Sequence, residues 1–149
     1  LAQGHALGQL RHHHAHHLVH HRAERLQGPL RLGVGAERED APDQLGRALG
    51  RELDVPEGAA AARLCALNVV AHLRNALDGN LDHCVQCVRV SGYVNATPEF
   101  TGHSQVMNGA SDLFVEIFGD AGRHTRIAVG VAGLPYGVAV EVEALFQVR

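Results

Sequence analysis

The chain of 149 residues contains no lysine, few isoleucines and only three cysteines. Three cysteines are too few, and odd in number, for a disulfide framework, and they favour a protein of a reducing compartment. All 13 basic residues are arginines, which together with abundant alanine and glycine is typical of a GC-rich genome. We therefore expect a cytoplasmic protein rather than a disulfide-stabilised secreted domain.

The sequence also lacks a long apolar run and an excess of basic residues, which argues against a membrane protein and a nucleic-acid binder. No apolar run approaches the roughly 20 residues that cross a bilayer, since glycines and Pro135 interrupt the most apolar segment, residues 127–140. The first 21 residues hold eight of the 12 histidines and no apolar core, so they do not resemble a signal peptide. With 13 basic and 16 acidic residues and a net charge of −3, a nucleic-acid partner is not expected.

Residues 1–45 differ from the rest of the chain. They contain no aromatic residue and no sustained period of 2 or 3.6. Histidines crowd positions 12–21, and pairs such as His13 and His17 have the i, i+4 spacing of metal ligands on a helix. An evolved metal site also needs a fold that fixes its ligands, and nothing in this segment supplies one. We expect a disordered, His-rich leader, and no metal or cofactor.

Residues 46–149 show clear periodicity. Asp54, Pro56 and Glu57 indicate a helix start, and Gly79 and Gly119 indicate helix ends. The pattern predicts helices over 58–77 and 105–118 and strands over 81–95, 125–131 and 138–148. This order favours an α+β fold, in which two helices pack on one face of a sheet. The other face of the sheet is then exposed to solvent or covered by another subunit.

Arg126 is the most informative single residue in the predicted strand 125–131. Alternation places Ile127, Val129 and Val131 toward the core and Arg126 on the other face with small residues: Ala128, Gly130 and Ala132. An arginine above small side chains leaves room for a ligand, and its guanidinium suits a bidentate carboxylate. The alternative, which these residues alone favour, is an ordinary ion pair with a neighbouring acid at the rim.

Three other patterns have two interpretations each. Glu141 and Glu143 lie about 7 Å apart on one face of a strand. They are either an acid–base pair or ordinary residues of a solvent-facing strand. Asn108 begins a polar run, residues 108–111, that either meets a ligand or is a helix surface patch. Cys84 and Cys87 have redox spacing, but positions i and i+3 of a strand face opposite ways, so we interpret both as small buried residues.

Residues 106–148 (VMNGASDLFVEIFGDAGRHTRIAVGVAGLPYGVAVEVEALFQV), with GAAAARLCALNVVAHL before them, resemble the RidA/YjgF family. The similarity is greatest to the bacterial branch with the N-G-A-S-D-L and G-R-H-x-R motifs, and it covers roughly residues 46–149. The resemblance implies a chorismate-mutase-like fold, assembled as a homotrimer with ligand sites between subunits. It also implies hydrolysis of enamines and imines, such as 2-aminoacrylate, to 2-keto acids and ammonia without a cofactor.

The resemblance also implies roles for individual residues. By position, Arg126 matches the arginine that binds the substrate carboxylate, Glu141 the acid that positions the water, and Asn108 a pocket asparagine. Ala128 occupies a substrate-binding position that is often cysteine in the family. A non-catalytic trimer that binds small carboxylates as a regulator is the alternative, and the ribonuclease activity attached to the family name is disfavoured by the acidic balance.

The N-terminal residues depart from the family pattern. The family's first portion contributes a β-hairpin, an aromatic residue near the pocket and an S-G-Q-like strand end, and we find none of these in residues 1–45. This segment is about as long as the portion it replaces. One hypothesis is that residues 1–45 are a wrong-frame translation, in which case N-terminal strands and part of the pocket are missing.

Overall fold

The computed structural model of the chain describes residues 28–35 and 46–149. The histidine cluster at 12–21 lies outside these residues, as does the rest of the predicted leader apart from residues 28–35. The two helices and four strands of the described part are β1 (Gly28–Gly35), α1 (Val55–Ala76), β2 (Cys84–Asn95), α2 (His103–Phe118), β3 (Thr125–Val131) and β4 (Val140–Val148).

The strands form one mixed sheet in the order β1-β4-β2-β3. β4 is antiparallel to both β1 and β2, whereas β3 is parallel to β2 and connected to it through α2. Both helices pack on the same face of this sheet and enclose one hydrophobic core. The predicted α+β architecture is therefore confirmed.

The ends of the helices follow the capping residues in the sequence. The Asp54 side chain accepts a hydrogen bond from the backbone N–H of Glu57, whose own side chain accepts one from the N–H of Asp54, which makes a capping box for α1. The second helix, α2, ends at Gly119, whose φ of 59° is a conformation that favours glycine. α2 begins at His103, two positions before the predicted start.

The last strand has the alternation expected from its sequence. Every second residue from Val140 to Val148 is buried, and Phe146 meets Phe114 of α2 edge to face with 5.7 Å between ring centroids. The intervening side chains, including Glu141 and Glu143, lie on the face of the sheet that the helices leave open. This alternation fixes the register of the sheet, because a one-residue slip would bury both carboxylates.

The sequence analysis found no strand before residue 46, and β1 corrects it for residues 28–35. Leu32 is buried and Leu30 packs against the core, while the backbone pairs along β4 from Gly28 to Gly35. Its two leucines and frequent glycines form too weak a hydrophobic pattern to predict a strand. The segment is a strand because it pairs with β4. Pro29 is compatible with it because β1 is an edge of the described sheet.

β2 departs from strict alternation, which corrects two further expectations. Its pairing with β4 shifts register between Cys84 and Gln86 and again between Cys87 and Arg89. Cys84 and Cys87 both pack toward the core instead of facing opposite ways. Val88 is exposed, although the predicted strand 81–95, as an unbroken strand, would place it on the same face as the buried Val90. Burial raises the pKa of Cys87 to about 12, which agrees with a small buried residue and not with a redox thiolate.

The two faces of β3 are the reverse of the predicted ones. Ile127 and Val129 are 43% and 36% exposed on the open face, while Ala128 packs against the core and Gly130 lies under the ring of His103. The ring of His103 covers Gly130, and a Cβ there would lie 2.5 Å from its Nε2. The small residues Ala128 and Gly130 occupy this covered part of the strand, and the branched residues lie on the open face.

Candidate functional site

Arg126 lies under α2 and is fixed by two of its residues. One guanidinium nitrogen, Nη1, donates hydrogen bonds to Oδ1 of Asn108 at 2.9 Å and to Oγ of Ser111 at 3.1 Å. Because Nη1 has two protons, these bonds use both of them. Nε and Nη2, the edge that binds a carboxylate in bidentate fashion, make no hydrogen bond to any described residue.

The position of Asn108 depends on the glycine that follows it. α2 crosses α1 so closely at Gly109 that a Cβ there would lie 1.9 Å from the carbonyl oxygen of Ala59. This contact sets the distance between the two helices. It thereby also sets the position of Asn108 and Ser111 on α2. Arg126 is thus held by a helix whose own position has little freedom.

A cleft of about 360 Å³ opens beside the guanidinium group. It is lined by Ser111, Val115, Arg123, His124 and Arg126. The exposed Arg123 donates from Nε to the Asp120 carboxylate at 3.1 Å, so its charge is partly balanced. The cleft therefore has positive character, which suits a small anion.

His124 is half-buried between α2 and the start of β3. Its Nδ1 lies 2.6 Å from the carbonyl oxygen of Gly122, and its Nε2 lies 3.0 Å from Oγ of Ser111. A carbonyl oxygen only accepts, so Nδ1 carries a proton and the Nε2 of the neutral ring accepts from the serine hydroxyl. Burial lowers the pKa of His124, as does the nearby Arg126 charge, while the bond to Gly122 opposes the shift.

The structure brings together some of the residues singled out from the sequence. Arg126 and Asn108 are in direct contact, and Ala128 lies on the same face of β3, partly buried. Glu141 is separated from them, because it pairs with Tyr93 on the open face whereas Arg126 pairs with Val90 on the helix face. Within the described residues, Arg126 and Glu141 therefore do not share one pocket.

The two glutamates of β4 have different surroundings. Glu143 lies 3.6 Å from the guanidinium of Arg31 on the neighbouring strand β1. Glu141 has no ion-pair partner among the described residues, and partial burial raises the pKa of its carboxyl group. Of the two, Glu141 is the one whose environment suits an acid–base role.

Sequence reasoning missed the pairing of Ser111 with His124. Ser111 was noted only as part of the polar run 108–111, and His124 only as a letter of the G-R-H-x-R motif. The two lie 13 positions apart, in different elements, and only the packing of α2 against β3 brings them together. The described residues contain no group of three or more metal-ligating side chains, and none of their helices has the length and hydropathy of a bilayer span.

Comparison with known proteins gives one family model, described as "YjgF/chorismate_mutase-like, putative endoribonuclease", which matches residues 44–146. "Protein TCP17" of Trypanosoma cruzi is 54% identical over 102 residues, which cover 68% of this chain and 63% of that protein. The chain therefore spans less than two-thirds of the length of this relative.

Two crystal structures superpose on most of the fold. Protein Atu1372 of Agrobacterium tumefaciens, titled as having unknown function, has a TM-score of 0.76 and 36% identity, with 80% of this chain and 76% of that chain covered. A "putative endoribonuclease" of Shewanella oneidensis has a TM-score of 0.74 and 33% identity, with 80% and 79% covered. The matched region, the sheet order and the two helices on one face agree, and the chain belongs to the YjgF/chorismate-mutase-like family.

Proposed function

We propose that the protein hydrolyses reactive imines and enamines of the 2-aminoacrylate type to 2-keto acids and ammonia. The observation that carries this proposal is the state of Arg126. Its Nη1 is fixed by Asn108 and Ser111, and its Nε–Nη2 edge is left for a ligand. A rigid guanidinium with one free edge is suited to a planar carboxylate, the group that these substrates share.

The chemistry makes modest demands on the protein. The carbon of an imine is already electrophilic, so a substrate held by its carboxylate needs a correctly placed water and a group that accepts a proton. Glu141, whose pKa is raised by burial, is the carboxylate we assign to positioning the water. This assignment needs no covalent intermediate on the protein.

The separation of Arg126 from Glu141 supports an oligomeric site. The open face carries exposed apolar side chains at Tyr93, Ile127 and Val129 beside Glu141. A second copy packed on this face would bury them and could bring its own Arg126 cleft to Glu141. We propose a homotrimer with its sites in the clefts between subunits.

Two other functions are compatible with the family. A non-catalytic trimer that binds 2-keto acids as a regulator would use the same Arg126 edge. The family description names an endoribonuclease, but the chain carries 13 basic and 16 acidic residues, which weighs against a surface for RNA phosphates.

The test is ammonia release from 2-iminopropionate, generated in the assay from L-alanine by an amino-acid oxidase. We expect the protein to accelerate release, and Arg126→Gln to lower kcat/KM about tenfold to hundredfold, the range of lost charged hydrogen bonds. Arg74→Gln, which removes an exposed arginine of α1, is the matched control and should change little.

Each alternative has its own result in this experiment. Thermal stabilisation by a 2-keto acid without turnover would contradict the enzyme and support the regulator. Cleavage of single-stranded RNA without any effect on imines would support the nuclease. A rate unchanged by Arg126→Gln would contradict the site assignment.

A further inference from the structure

We propose that Ser111 and His124 form a proton relay for the Arg126 site, which takes a proton from the attacking water and returns it to the leaving nitrogen. The relay rests on the proposed imine hydrolysis and names the groups that move its protons. Both residues line the same cleft as Arg126, with Ser111 in direct contact with the guanidinium.

The directions of the hydrogen bonds define the relay. Arg126 has only protons to give, so Oγ of Ser111 accepts from it, and the serine proton points to Nε2 of His124 at 3.0 Å. A serine oxygen has a second lone pair, which remains for a water or a substrate group. Ser111 is thus placed to accept one proton while it passes its own to His124.

His124 is held firmly in the orientation that the relay requires. The carbonyl of Gly122 fixes the tautomer through Nδ1, and the ring meets Phe114 edge to face at 5.9 Å between centroids. Gly122 itself is packed so tightly that a Cβ would lie 2.1 Å from the carbonyl oxygen of Phe114. A nucleophile or proton donor, a neutral histidine and a third group that orients it make a recognised catalytic arrangement.

No other group lining the cleft serves this purpose. Arg126 and Arg123 are the charged side chains that line it; an arginine keeps its proton at any relevant pH, and Arg123 is paired with Asp120. α2 contributes Ser111 and the apolar Val115 and Phe114 beside the imidazole. Among the residues that line the cleft, His124 alone has a neutral ring nitrogen that can accept a proton.

The steps balance when the substrate enters as the protonated imine. The water oxygen bonds to the imine carbon, and the π electrons of the C=N bond become the nitrogen lone pair. A water proton moves to Oγ of Ser111 as the serine proton moves to Nε2 of His124. The imidazolium then returns its proton through Ser111 to the nitrogen, the C–N bond breaks and the carbonyl forms. The remaining carbinol proton leaves with ammonia as ammonium, and His124 is neutral again.

The experiment compares Ser111→Ala and His124→Gln with Ser111→Thr, which keeps the hydroxyl, and with Ser104→Ala, an exposed serine of the same helix. We expect the first two to lower kcat for 2-iminopropionate by about 10²–10⁴-fold, the usual contribution of acid–base catalysis. Ser111→Thr should recover most of this loss and Ser104→Ala should lose nothing. The wild-type kcat should fall on the acid side as His124 becomes protonated, and His124→Gln should lack this limb.

Failure of the relay and failure of the proposed function give different results. Wild-type turnover that depends on Arg126 but survives Ser111→Ala and His124→Gln overturns the relay alone. Absence of wild-type turnover overturns both. The tautomer is an independent readout: ¹⁵N NMR of the imidazole at neutral pH should show the proton on Nδ1, and a proton on Nε2 instead would overturn the relay.

Discussion

Nη1 of Arg126 in β3 donates a 2.9 Å hydrogen bond to Oδ1 of Asn108 in α2, and the two residues lie 18 positions apart in the chain. This bond restricts the rotation of the guanidinium group, and the second bond of Nη1, to Ser111, restricts it further. A long, exposed arginine would otherwise lose considerable side-chain entropy on binding an anion. The two contacts therefore order the arginine in advance for the ligand that we propose.

Asn108→Asp should weaken the binding of a 2-keto acid about tenfold. The new carboxylate would pair with Arg126 and compete with the ligand for its charge. Isothermal titration with pyruvate measures the effect, and Asn75→Asp, an exposed position on α1, controls for the added charge. Equal affinities for Asn108→Asp and Asn75→Asp would contradict a ligand on this side of Arg126.

Gly109→Ala should destabilise the fold by about 2–3 kcal/mol, although alanine is ordinarily the better helix former. The added Cβ meets the backbone of Ala59, which has no flexible end that moves aside, so the two helices must separate. Chemical denaturation measures the free energy of unfolding, with Ser104→Ala as the control in the same helix. A stability equal to that of the control would show that the helices are not in close contact there.

Ile127→Glu should disrupt the proposed trimer without unfolding the subunit. Ile127 is 43% exposed on the open face, so a charge there costs little in the monomer but much in an apolar interface. Light scattering after size exclusion gives the mass, and Leu67→Glu, at 45% exposure on α1, is the matched control. A trimer that survives Ile127→Glu and dissociates with Leu67→Glu would place the interface on the helices.

The stability of the fold should decrease below about pH 6.5, the ordinary pKa of histidine, through His124. Burial lowers its folded-state pKa, so the unfolded chain binds the proton first, and folding loses stability until the pH passes the lowered pKa. The difference between wild type and His124→Gln in urea, measured across this range, isolates the contribution from that of the carboxylates. A difference that does not change with pH would contradict a buried neutral ring.

The sequence predicted the elements whose patterns are local. Capping at Asp54, the glycine at 119 and the alternation of β4 are each written in a few neighbouring residues, and all three agree with the structure. β1 was missed because its strand character comes from its partner β4. The faces of β3 were reversed because the side on which the helices pack, which alternation alone does not report, decides which residues lie inside.

The candidate site shows the same division. Arg126 and Asn108 were recognised from the sequence motifs, and their contact is present. The bond between Ser111 and His124 depends on how the middle of α2, the 3₁₀ turn at Gly119–Gly122 and the start of β3 are packed, which no periodicity reports. The same limit applies to Glu141, which is separated from Arg126 because the faces of β3 are the reverse of those predicted.

All four side chains around the guanidinium site, from Asn108 to Arg126, come from one continuous β2–α2–β3 segment. Parallel pairing of β2 with β3 and the helix between them are enough to place these groups. None of the hydrogen bonds among these four side chains involves a residue of β1. A change in β1 should therefore leave this hydrogen-bonded arrangement in place as long as the sheet still folds.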